Sequence, residues 1–218
     1  MNKLVVLPIA FLLPALSFGQ AQTSRLPFNE TGISANYTFA VSPDYEVQNG
    51  LGGGLMLYRS WREGKKVNPV SGLDYNFTNF KTHEVFDHMG YFYSDLRFRY
   101  HQVRLPFSVR FNMGRTTNFF IEPGICLSVT GGTYSGPEVN VSSGETQQIR
   151  KGTGVRGDLA TMFGLGIQTP LKAGYLIIKA DVSKGLGRTY LATGNPSESM
   201  FFYNSYIRLS VIYRRKLM

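Results

Sequence analysis

The chain has 218 residues and a formal net charge of +9, with 43% hydrophobic, 14% aromatic and only 17% charged residues. That composition excludes a disordered or collagen-like chain, and a single Cys excludes a disulfide framework within it. Few charges beside abundant Tyr, Phe and Gly fit strands and turns whose outer surface need not be charged.

Residues 1–21 read as a cleaved secretory signal, leaving 22–218 as one domain. Lys3 gives a positive start, Leu4 to Phe18 is apolar apart from Ser17, and Gly19-Gln20-Ala21 places small residues at a cleavage site. Cleavage after Gly19 is a close alternative. No later segment approaches the about 20 apolar residues that a membrane-spanning helix needs. The rest of the chain is therefore either exported and soluble or crosses a membrane with strands.

After the signal the side-chain period is two, not 3.6. Ile33, Ala35, Tyr37, Phe39 and Val41 share one face of a first strand. Leu51, Leu55 and Leu57 mark a second, and Leu73, Tyr75 and Phe77 a third. Val103, Leu105, Phe107, Val109 and Phe111 make a fourth, and Phe119, Ile121, Ile125, Leu127 and Val129 a fifth. Leu159, Phe163, Leu165 and Ile167 form a sixth, Leu176, Ile178, Ala180 and Val182 a seventh, and Ile207, Leu209, Val211 and Tyr213 an eighth. Connections alternate in length. Those near 63–67, 113–116 and 169–174 are short, while 42–49, 83–94, 132–152 and 187–199 are longer. The 132–152 stretch, rich in Gly, Ser and Thr, is expected to be a mobile loop. The fold class that follows is all-β: an eight-stranded antiparallel transmembrane barrel with short periplasmic turns and longer external loops.

One face of these strands is almost uniformly apolar. The other mixes small residues with charges of both signs: Asp74, Arg104, Arg110, Glu122, Arg156, Asp158, Lys179, Asp181 and Arg208. In a lipid-facing barrel this second face is the lumen, which eight strands leave just wide enough for side chains to fill. Charges buried there must pair, so these residues are expected to form a structural network. In a soluble barrel they would instead be solvated outside. A second group of cations falls by the short turns or the C-terminus: Arg62, Lys65, Lys66, Arg115, Lys172, Arg214, Arg215 and Lys216. In the barrel they line the periplasmic rim, where anionic lipid or a protein could dock.

The strings Val103-Arg104-Leu105-Pro106-Phe107-Ser108-Val109-Arg110-Phe111, Phe119-Phe120-Ile121-Glu122-Pro123-Gly124, Asp158 through Phe163-Gly164-Leu165-Gly166, Asp181 through Gly185-Leu186, and Ile207-Arg208-Leu209-Ser210-Val211-Ile212-Tyr213 resemble strands of the PorT-like outer-membrane β-barrel proteins of Gram-negative bacteria. Some of that family resemble secretion-system components and others small barrels of the OmpA and OmpX types. The resemblance implies fold and location, not an activity. Tyr213 stands where such barrels carry a terminal aromatic for the insertion machinery, here followed by a short basic tail.

No catalytic, cofactor or metal residue is assigned. His83 and His88 are five apart rather than at the helical zinc spacing, and no nucleophile–base pair accompanies His101. Gly50 to Gly54 lacks the Lys-Ser/Thr ending of a phosphate loop. The cations form no basic stripe with interleaved aromatics, so nucleic acid is not an expected partner. The expected function is a non-enzymatic, structural or interaction role through external loops. The alternative is an accessory part of a secretion or assembly apparatus that docks by its basic rim. A soluble ligand-binding barrel and a loop-sited enzyme stand further back. Expected partners are outer-membrane lipid, the barrel-insertion machinery, and a periplasmic or surface protein.

Overall fold

The computed structural model describes residues 27–41, 47–86, 91–114, 118–140, 142–186, 189–191 and 200–215. The signal at 1–21 lies outside these residues, as do Arg115 and Lys216. Among the described residues ten strands follow one another: β1 (Glu30–Val41), β2 (Val47–Gln48), β3 (Gly50–Ser60), β4 (Val67–Phe86), β5 (Tyr91–Met113), β6 (Asn118–Asn140), β7 (Thr146–Leu171), β8 (Gly174–Gly185), β9 (Thr189–Leu191) and β10 (Met200–Arg215).

The main strands form an antiparallel ring in the order β1-β3-β4-β5-β6-β7-β8-β10, and pairing of β10 with β1 closes it. Each of the eight runs of alternation falls in one ring strand. β2 and β9 are short additions, paired with β4 and β10. Closure joins Glu30 to Arg214 and Val41 to Tyr203, so no open edge remains in the ring.

The long connections differ from the expectation. Residues 132–152 are mostly strand, not loop. β6 and β7 stay paired up to Val139 and Thr146, with hydrogen bonds from Asn140 and Gly144 closing the tip. β4 and β5 likewise stay paired up to Phe86 and Phe92. Backbone ladders form there because the sheet below supplies twist and register, although the side chains are too polar and small to announce a strand. Two tall hairpins therefore rise from one end of the barrel. The other end carries the tight turns at 61–66 and 172–173, together with the start of β1 and the end of β10, where Glu30 meets Arg214.

Alternation sets the two faces. Outward residues such as Leu105, Phe107, Ile125, Leu127, Phe163, Leu165, Leu209 and Val211 are exposed. Inward residues include Met56, Tyr58, Val70, Phe120, Ile177 and Ile212, a buried apolar cluster near the short-turn end. Inward crowding demands a missing side chain at Gly166: a Cβ there would run into the Phe120 ring and the Ile178 carbonyl oxygen.

Candidate functional site

Inside the barrel the charged residues join into one chain of alternating sign. At the short-turn end Arg214 lies 3.3 Å from Glu63 and 3.6 Å from Glu30. Glu30 accepts two hydrogen bonds from Arg110, at 2.8 and 3.1 Å, and Arg110 Nε donates to Glu122 at 2.7 Å. The other Glu122 oxygen accepts from Lys179 at 2.9 Å and from Ser108 at 3.0 Å. Lys179 lies 3.9 Å from Asp181, which accepts from Arg208 at 3.0 and 3.2 Å. Arg208 also donates to Asp74 at 2.6 Å and to the Tyr58 hydroxyl at 3.2 Å. Asp74 finally accepts from Arg104 at 3.3 Å. Arg110, Lys179 and Arg208 are completely buried. Aromatic faces complete their surroundings, with Arg110 over Phe120 and Arg104 over Tyr206, both at 4.7 Å.

Strand alternation puts these groups in one lumen, and each is held by residues from several strands. β1, β4, β5, β6, β8 and β10 supply the charges, joined by Glu63 from the turn between β3 and β4. β3 adds Tyr58, and β7 adds Gln168, whose side-chain oxygen accepts from Arg214 at 3.0 Å. A charge this far from water is tolerable only with opposite charges around it, and the alternating chain provides them.

The structure brings Asp74, Arg104, Arg110, Glu122, Lys179, Asp181 and Arg208 together. Arg156 and Asp158 share the inward parity, opposite Thr130 and Ser128, but sit higher and only half-buried. Of the rim cations, Arg62, Lys65, Lys66, Lys172 and Arg215 are exposed at the short-turn end. Arg214 departs from the rim reading. It is 1% exposed and belongs to the luminal chain, because it has the same parity as Arg208 and meets Glu30 across the closing pair. Glu30, Glu63 and Tyr58 were not anticipated in the network. The parity of Glu30 with Ser34 and Asn36 was the available signal.

Above this chain most of the luminal lining is neutral polar and then aromatic, with Arg156 and Asp158 on the same face and the buried Glu138, 3.2 Å from Lys151, higher still. A cavity of about 20 Å³ is lined by residues including Asn36, Asn76, Thr78, Gln102 and Tyr206. Over it Phe80 stacks on Phe98 at 4.8 Å and on Tyr100 at 5.3 Å, and Phe98 meets Tyr134 at 5.8 Å. Cys126 is buried beside Ala160 and Met162. His101 faces outward, with Nδ1 2.6 Å from the Tyr75 hydroxyl. The side chains of His83 and His88 lie outside the described residues.

The chain is thus an antiparallel β-barrel of eight ring strands, its lumen filled by a paired charge network and its outer wall apolar. No protein-family model matches it, and no curated protein does. Among solved structures it is similar to Ail, the attachment invasion locus protein of Yersinia pestis, at 15% identity, over 86% of this chain and 99% of that one, with a TM-score of 0.40. It is also similar to Neisserial surface protein A, at 8% identity, over 85% and 96%, with a TM-score of 0.45. A third is a major outer membrane protein from Thermus thermophilus, at 17% identity, over 85% and 98%, with a TM-score of 0.45.

Proposed function

We propose that this chain is a non-enzymatic β-barrel protein of the outer membrane of a Gram-negative bacterium, with a sealed lumen and a structural or interaction role carried by its tall hairpins. The observation that carries this reading is the inversion of the two faces. Leu, Ile, Val and Phe stand exposed around the wall, whereas Arg110, Lys179 and Arg208 are buried inside. In water that arrangement would leave a large apolar belt uncovered and strand the charges away from solvent. Hydrocarbon removes the first cost, and the ion pairs offset the second. On β5 the belt runs from Val103 to Met113, close to the about 9–11 residues of a tilted spanning strand. The strands that resemble the PorT-like family are β5, β6, β7, β8 and β10, which also hold much of the luminal chain. Tyr213, outward on the last strand, fits the terminal aromatic that barrel-insertion machinery reads.

Folded protein should insert into lipid vesicles, keep its fold in mild detergent, and migrate differently on a gel before and after boiling. Planar-bilayer recordings should show no steady porin-like conductance. Recovery as a compact monomer in an aqueous extract would overturn the membrane reading, and a steady open channel would overturn the sealed lumen.

The exposed cluster of Arg62, Lys65 and Lys66 in the β3–β4 turn favours a second reading, docking to a periplasmic part of a secretion or assembly apparatus. Charge reversal at Lys65, Lys66 and Arg215 should abolish capture of such a partner; capture unchanged by it would remove this reading.

A further inference from the structure

The outward face of the two tall hairpins changes character just beyond the apolar belt. Register places Lys81 directly opposite Arg97, Arg97 opposite Ser135, and Ser135 opposite Arg150. Directly paired residues point to the same side of a sheet, so Lys81, Arg97 and Arg150 form one row across four strands. Neighbouring strands lie about 4.8 Å apart, which puts Arg97 and Arg150 roughly 10 Å from each other. Arg99 belongs to the next row down, between Asn79 and Thr133. All four cations are exposed. The row below Arg99 is Phe77, His101 and Gly131, at the edge of the belt.

This arrangement is unfavourable as it stands. Like charges directly across a strand pair repel, and Arg99 adds a third on the same face. The contrast is with Arg104, Arg110, Lys179, Arg208 and Arg214 in the lumen, each of which lies against a buried carboxylate. Among the described side chains Asp95 is the exposed acid near the patch, beyond Arg97 at the irregularity between Tyr93 and Arg97, and against four cations it leaves an excess of positive charge. An anion that bridges Lys81, Arg97, Arg99 and Arg150 would turn repulsion into charge-assisted hydrogen bonds, and guanidinium forks suit phosphate oxygens.

Position identifies the anion's source. Two residues advance a strand by about 7 Å, so the two rows stand within roughly 7–14 Å of the belt edge along the strands. Strand tilt reduces that height, which brings the rows into or just above the headgroup zone of a bilayer. We infer that Lys81, Arg97, Arg99 and Arg150 form a binding site for the phosphates of a phosphorylated glycolipid in the leaflet facing the tall hairpins. This inference rests on the membrane reading above.

The test uses the whole folded protein, first inserted into phosphatidylcholine vesicles. Retention of lipid A bisphosphate by the immobilised, detergent-exchanged barrel is then compared with retention of the same lipid stripped of phosphate. Wild type should hold the phosphorylated form at least about tenfold more tightly, because each basic residue near an anionic surface contributes severalfold. The preference should vanish with Lys81→Gln, Arg97→Gln, Arg99→Gln and Arg150→Gln together, and survive Lys65→Gln with Lys66→Gln. Should the fourfold variant lack the gel shift of a folded barrel, Arg97→Gln alone should still reduce the preference severalfold. Equal retention of the two lipids would overturn the site, as would a preference that persists in the folded substituted protein. Full competition by millimolar inorganic phosphate would show a site for free anion and overturn the headgroup assignment. Failure of wild type to enter vesicles would instead overturn the membrane reading, so the two failures are distinguishable.

Discussion

Arg208→Met should destabilise the barrel by about 3–5 kcal/mol, the cost of leaving buried charges without their partner. Arg208 is completely buried and joins two carboxylates, Asp181 at 3.0 Å and Asp74 at 2.6 Å. After its removal the cation left beside Asp74 among the described residues is Arg104, at 3.3 Å, and Asp181 keeps Lys179 at 3.9 Å. Neither contact replaces a direct guanidinium bond. Adding Asp181→Asn to Arg208→Met should recover at least half the loss, because Asp74 still faces Arg104 and Lys179 still faces Glu122, so the carboxylate left without a close partner is removed. Urea unfolding from vesicles, followed by the single Trp, provides the measurement. That Trp, Trp61, sits at the short-turn end with its indole N–H donating to Ser71 at 3.0 Å. A loss below about 1 kcal/mol for Arg208→Met, the size of an exposed ion pair, would mean that water reaches the lumen and the plug is not dry.

The same residues show what the sequence could and could not reveal. Parity was enough to divide Leu105, Leu127 and Leu209 from Arg104, Ser128 and Arg208, because the strand period is two wherever the chain is in a sheet. It put Arg214 on the face of Arg208 as well, although nearness to the C-terminus grouped that residue with the rim cations instead. Pairing is another matter. Asp74 and Arg208 are 134 positions apart, and only ring closure brings them together. Strand length was also hidden. The upper parts of β6 and β7 are polar and glycine-rich, since nothing apolar presses on both their faces, so their ladder leaves no side-chain pattern. Thus the charge-bearing face was legible, whereas the order of its ion pairs and the height of the hairpins were set by register. The outward basic row was invisible for the same reason: Lys81, Arg97 and Arg150 become neighbours only through cross-strand pairing.

The outer wall makes the second large prediction, and it is one of depth. Ile125 sits midway along the belt, paired with Phe107 and Thr161, and is half-exposed. Met113 lies at the belt's short-turn end, paired with Phe119. Ile125→Arg should cost about 2–4 kcal/mol in vesicles, whereas Met113→Arg should cost only about 0–1 kcal/mol, because the penalty for a cation falls from the bilayer midplane to the interface. In water the two positions would behave alike, since exposed substitutions away from special features usually change stability by no more than about 0.5 kcal/mol. The difference between the two variants therefore reports the surrounding solvent, independently of how either side chain packs inside the barrel. Lumen substitutions such as Arg208→Met leave that gradient untouched because they face the opposite side of the wall. If Ile125→Arg and Met113→Arg shifted the unfolding midpoint equally, the apolar belt would not be facing hydrocarbon. The exposed Leu, Val and Phe side chains would then require another protein surface to cover them.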